Sequence, residues 1–241
     1  MSMHAKAQSS HAGEFAALLR GDAEEISAGS KSSSLRRGAM HIGIIVVGAG
    51  CYGAAMGWWR DPQQALFVAV KFPLIILLTT AGNALINAML APLLGLNIPF
   101  RQTISAIVMS FTITSAILGA FSPLIAFLVW NAPPMSTQPA ALPYYNLVKL
   151  THVAVIAFAG TMGNARLFQL LTRLGGSRAV ALRVLFAWLA GNFFLGSQLS
   201  WILRPFIGVP SLPVQFLRSD ALHGNFYESI LHTFLHLLKT S

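Results

Sequence analysis

The chain has 241 residues, 55% of them hydrophobic and 10% charged, against about 25% charged in ordinary soluble domains. Its mean hydropathy is +0.64, and no Asp or Glu occurs between Pro62 and Ser219. A water-solvated domain is excluded over that stretch, because its surface would need mixed charge. The formal charge of +9 sits at the ends of apolar runs, where basic residues fix topology and meet anionic lipid. It points to a membrane and away from nucleic acid.

Residues 1–37 are polar and rich in Ser, Ala and Gly, and they hold Glu14, Asp22, Glu24 and Glu25. Gly13 to Ile26 has the pattern of a short amphipathic helix, and Ser27 to Ser34 reads as linker. We expect a flexible cytoplasmic segment here. With no small-residue cleavage site soon after it, the apolar run that follows reads as a retained anchor.

Five apolar runs follow, each long enough to cross a bilayer as a helix. The first spans about Ala39 to Trp59 and is rich in glycine, and Trp58 and Trp59 mark an interface before Arg60. Gly50, Gly53 and Gly57 give it small-residue faces that admit a neighbouring backbone. Its Cys51, the sole cysteine, excludes an intrachain disulfide and reads as a buried packing residue. Gly48-Ala-Gly50-Cys-Tyr-Gly53 matches a dinucleotide fingerprint in letters only, since no strand–turn–helix unit surrounds it.

Asp61 and Pro62 break the chain before the second run, Leu66 to Leu94, whose Lys71 is placed to snorkel from the entrance. The third run spans Ile104 to Trp130 and is rich in Ser and Thr. The fourth spans Leu147 to Leu171, with His152 near its start. The fifth spans Val180 to Leu203. After Arg204 and Pro205 a Pro/Gly-punctuated piece leads to a tail helix, Asn225 to Lys239, suited to lie at an interface. The expected fold is all-α, a polytopic transmembrane bundle of five spans with an amphipathic C-terminal helix. The division is 1–37, 38–204 for the bundle and 205–241 for the interfacial segment.

Lys31, Arg36 and Arg37, then Arg101, then Arg166, Arg173, Arg178 and Arg183 fall on one side of a five-span path. The positive-inside rule puts that side, and the N-terminus, in the cytoplasm, most simply of a bacterial inner membrane. The C-terminus then lies outside, which leaves Arg204 and Arg218 awkwardly placed. The four arginines from Arg166 to Arg183 are candidate contacts for lipid headgroups.

Three runs carry a glycine–asparagine pair: Gly82–Asn83, Gly163–Asn164 and Gly191–Asn192. A small residue permits close approach, and the amide then pairs across the contact. Asn83, Asn87, Asn164, Asn192 and Gln198 are therefore candidate intramembrane polar contacts or the lining of a conduit. No carboxylate lies within the spans, which argues against acid–base catalysis and against most ion-coupled carriers. His223, His232 and His236 form a histidine cluster better read as a solvated face than as a metal site. His152 reads as an interfacial hydrogen-bonding group, and His41 and His152 sit near opposite faces, unsuited to one shared cofactor.

The expected role is a non-catalytic integral membrane subunit or scaffold packed within a larger assembly. Its partners would be membrane lipids and other subunits or further copies of itself. The alternative is a channel or transporter for a small neutral or anionic solute. A membrane enzyme acting on lipid has no motif behind it, no catalytic or metal-ligating residue is assigned, and no cofactor is specified.

Overall fold

The computed structural model describes residues 31–135 and 142–231. The amphipathic piece at 13–26, part of the third loop, and the tail from 232 onward, with His232 and His236, lie outside the described residues. Five helices make up the bundle: α1 (Lys31–Trp58), α2 (Pro62–Leu93), α3 (Phe100–Trp130), α4 (Leu142–Gly175) and α5 (Arg178–Ile202). Each is long and apolar enough to cross a membrane, as a multi-pass membrane protein requires. Among the described residues there is no strand.

The helices begin earlier than the apolar runs because polar first turns also wind. At α2 the breaker seen in the sequence is itself the start signal. Asp61 is the N-cap and accepts the Gln63 N–H at 2.7 Å, while Pro62 occupies a first-turn position where its missing N–H costs nothing. Pro73, Pro92 and Pro123 stay inside their helices. A proline removes the donor for the carbonyl four residues back. For Pro73 that carbonyl belongs to Ala69, and it is the group that faces Gly50 of α1. Gly95, at φ 91°, lets the short turn between α2 and α3 close where a side chain would be strained.

α2, α3, α4 and α5 pack in a ring, and α1 packs against both α2 and α3. Two core layers result. One joins α2 to α5 through Leu96, Ile107, Leu167, Leu171, Val184 and the fully buried Trp188. The other brings in α1, with Tyr52 and Met56 against Val68, Leu118, Ile125 and Val155. Lipid is as apolar as these side chains, so close van der Waals packing holds the layers together. The glycines of α1 make that packing close. A Cβ on Gly48 would overlap the Ser115 carbonyl. One on Gly119 would meet the Gly48 Cα at 2.8 Å, and one on Gly57 the Gln64 carbonyl at 2.7 Å.

After α5 the chain runs from Leu203 to Ala221 as an irregular strap across the bundle end where α1 passes into α2. Phe206 and Ile207 of the strap enter the core layer around α1. Residues 226–231 are helical, and this turn docks on α5. Gln198 accepts the Phe226 N–H at 3.3 Å, and Tyr227 stacks on Phe194 with centroids 5.5 Å apart.

Candidate functional site

The most polar feature of the bundle interior is the α2/α5 seam. Thr79, Asn83 and Asn87 stand four residues apart on α2, so they form one stripe. Trp188, Asn192 and Gly196 do the same on antiparallel α5. Asn83 meets Asn192 at the middle rung, and Thr79 lies 3.8 Å from where a Gly196 Cβ would sit. Continuing that register puts Asn87 level with Trp188. The Asn87 amide donates to Asn83 Oδ1, and the Asn83 amide donates both to Asn192 Oδ1 and to the Trp188 carbonyl at 3.3 Å. Gly191 makes this possible, because a Cβ there would lie 2.6 Å from Asn83 Oδ1.

Asn83 and Asn87 are fully buried, and a buried amide without partners is costly. The chain of amides relieves most of that cost but not all. Thr79 Oγ1, Asn87 Oδ1 and Trp188 Nε1 are buried with no hydrogen-bond partner. The flanking members Thr79 and Trp188 escape a search for Gly–Asn pairs. The four-residue spacing of polar residues on α2 is the signal that finds Thr79, whereas Trp188 stands four residues before Asn192 on α5.

Asn164 stands apart from this network. Its amide donates to the Gly160 carbonyl of its own helix at 2.8 Å, while the adjacent Gly163 packs against Ser110 and Thr114 of α3. Gln198 holds the 226–231 turn. Gly50, Gly53 and Gly57 face the carbonyls of Ala69, Val68 and Gln64 on α2. Of the loop arginines, Arg166 donates to Gln169 at 3.1 Å and Arg183 to Ala179 at 3.4 Å, each within its own helix. Arg173 and Arg178 are exposed at the same end of the bundle.

Three residues depart from expectation. Cys51 is exposed on α1 rather than buried, because the packing faces of α1 are taken by its glycines. His152 is buried, not interfacial, since α4 starts at Leu142 and carries it well inside the bundle. It pairs with Tyr52 at 2.9 Å. The phenol oxygen and Nδ1 share this one hydrogen bond, and Nε2 is left without a partner. His41 lies three turns earlier on α1 and contacts Thr112 at 2.9 Å, so the two histidines share no site. Lys71 does not snorkel. It is fully covered by the strap, with Nζ donating to the Pro205 and Gln215 carbonyls at 3.2 and 3.4 Å.

The charges are unevenly divided between the two ends. Asp61, Asp220 and Glu228, the described carboxylates, all lie at the end that carries the strap. The other end holds Arg101, Arg173 and Arg178 with no carboxylate among the described residues. Arg204 and Arg218 share Asp220, at 3.3 and 2.8 Å. Desolvation is the largest single influence on the Asp220 carboxyl and acts to raise its pKa. The hydrogen bond and charge of Arg218, a backbone hydrogen bond at Asp220 and the more distant charge of Arg204 together outweigh it and hold the carboxyl below its usual value.

On the outer side of α1 and α3, two adjoining apolar grooves of about 450 and 400 Å³ run along the helix pair. Met40, Ile44, Val47, Cys51, Ala54 and Trp58 line the α1 side at alternating spacings of four and three. That is the spacing with which one helix seats another. Comparison with known protein families, with curated proteins and with solved structures finds no match.

Proposed function

We propose that this protein is a non-catalytic subunit or scaffold of a larger membrane assembly, and that the α1/α3 face is where a partner helix seats. The observation that carries this reading is the groove pair along that face. Its α1 side carries Met40, Ile44, Val47, Cys51, Ala54 and Trp58 at helix-packing spacing, the small Gly43, Ala116 and Ala126 lie among its lining, and Trp58 and Trp130 are at its end. Small residues let two backbones approach where the hydrophobic effect supplies no drive. The interior supports the same reading, since its amides are spent on each other and lock α2 to α5.

The excess of arginine at the end away from the strap favours that end, with the N-terminus, on the cytoplasmic side. A bacterial inner membrane is the simplest setting. Gly43→Leu tests the role, because a Cβ at Gly43 meets nothing within 4 Å and Gly43 lines the groove that the larger side chain would fill. The variant should run as a smaller particle than the wild type after mild-detergent extraction. Unchanged particle size would remove the docking face.

One observation favours a second reading, a conduit for a small neutral or anionic solute. Thr79, Asn87 and Trp188 leave polar atoms unpaired along one seam. Flux through reconstituted vesicles that falls in Asn87→Leu would select it.

A further inference from the structure

Three side chains at the α1–α2 corner grip the strap by its backbone. Arg60 Nη2 donates to the Pro210 and Leu212 carbonyls, both at 3.2 Å. Gln64 Nε2 donates to the Pro205 and Phe206 carbonyls at 3.0 and 2.8 Å. Lys71 donates to the Pro205 and Gln215 carbonyls and lies 5.2 Å from the centre of the Phe216 ring. Gly208, at φ 85°, lets the strap bend closely over the Arg60 stem.

Neither cation meets a carboxylate among the described residues. Asp61 is used as the cap of α2, Asp220 is taken by Arg204 and Arg218, and Glu228 sits beside Asn225. Lys71 is fully covered nonetheless. Covering a cation without a counter-ion is costly, and embedded charges usually mark function. Peptide carbonyls offset part of this as dipoles, and an anion would offset more. Each of these carbonyls satisfies a donor that an anion's oxygen could satisfy in its place. The Pro205 oxygen is shared by Gln64 and Lys71 as a phosphate oxygen would be. An arginine fork, a lysine point charge and a neutral amide donor together suit a phosphate group.

We propose that Arg60, Gln64 and Lys71 form a phosphate-binding site, and that the strap occupies it as an internal stand-in and lifts when the phosphate arrives. The phosphate is either that of an anionic phospholipid headgroup or free inorganic phosphate, since both present the same oxygens at this bundle end. Binding would exchange carbonyl dipoles for a full negative charge and free residues 203–217.

Hydrogen–deuterium exchange on the full chain in nanodiscs tests this. In one arm phosphatidylglycerol is added to phosphatidylcholine discs. In the other, sodium phosphate replaces sodium chloride at equal ionic strength over phosphatidylcholine alone. Exchange of peptides covering 203–217 should rise several-fold in one arm, with α3 and α4 unchanged, and the arm that responds identifies the source. Lys71→Gln should abolish the response. Arg60→Gln keeps the buried lysine in place and should raise the anion level needed by about tenfold, equivalent to one charge-assisted bond of about 1.4 kcal/mol. No change in either arm, or an Arg60→Gln response equal to wild type, would overturn the proposal.

Discussion

Asn83 and Asn192 meet at the middle rung of an antiparallel seam, with the Asn83 amide donating to the Asn192 oxygen and to the Trp188 carbonyl. Around this pair the bundle does something that lipid cannot do for it. It gives α5, the least buried of the spans, a directional hold on α2.

Removing that hold has a definite cost. Asn83→Leu strands the buried Asn87 amide and the half-buried Asn192 oxygen, and should destabilise the bundle by about 1–2 kcal/mol. Asn164→Leu breaks only a bond within its own helix and should stay within about 0.5 kcal/mol of wild type. Unfolding in mixed micelles measures both, and a double-mutant cycle of Asn83 with Asn192 should show coupling of about 0.6 kcal/mol or more.

The Tyr52–His152 pair behaves differently because both partners are buried. Tyr52→Phe leaves His152 wholly unpaired and should cost about 1–3 kcal/mol. Tyr52→Phe combined with His152→Leu removes both polar groups and should recover most of that loss. A double variant that is weaker than either single one in thermal unfolding would contradict the pairing.

Gly48 and Gly43 are both glycines of α1 with opposite consequences. Alanine at 48 collides with the Ser115 backbone and must push α1 away from α3, whereas alanine at 43 enters open space. Gly48→Ala should lower stability by about 1–3 kcal/mol, and Gly43→Ala should not lower it at all. Paired thermal melts in one detergent decide this.

Asp220 gives the strap a pH dependence of known sign. Its folded pKa is held below the usual carboxylate value, so its contribution is fully present above about pH 4, the unfolded value. It is lost as pH falls through the lower folded value. Limited proteolysis within 203–221 should be slow from neutral pH down to about pH 5 and accelerate below about pH 4. Asp220→Asn should be cleaved readily throughout.

The spans were legible because hydrocarbon selects long apolar runs whatever the tertiary fold, so interior prolines did not hide α2 or α3. The helix starts were less so. Asp61 and Pro62 look like a break, and only the cap geometry reveals them as the beginning of α2. The Gly–Asn pairs were visible, but their spacing alone does not say which faces inward. Asn192 points across to α2 and Asn164 back along α4, and that depends on helix rotation within the bundle. The covering of Lys71 was hidden for another reason. Its hydrogen-bond partners lie beyond α5 in the chain and are backbone carbonyls, which leave no mark in residue type.

The scaffold role stands or falls on what touches the α1/α3 groove in the native membrane. Replacing Val47, a well-exposed groove residue, by photoreactive benzoylphenylalanine reports this directly, with Phe186 on α5 as the comparison position. A covered groove should yield a protein–protein adduct at Val47, while Phe186 yields lipid adducts. Lipid adducts alone at both positions would show that no partner helix sits there.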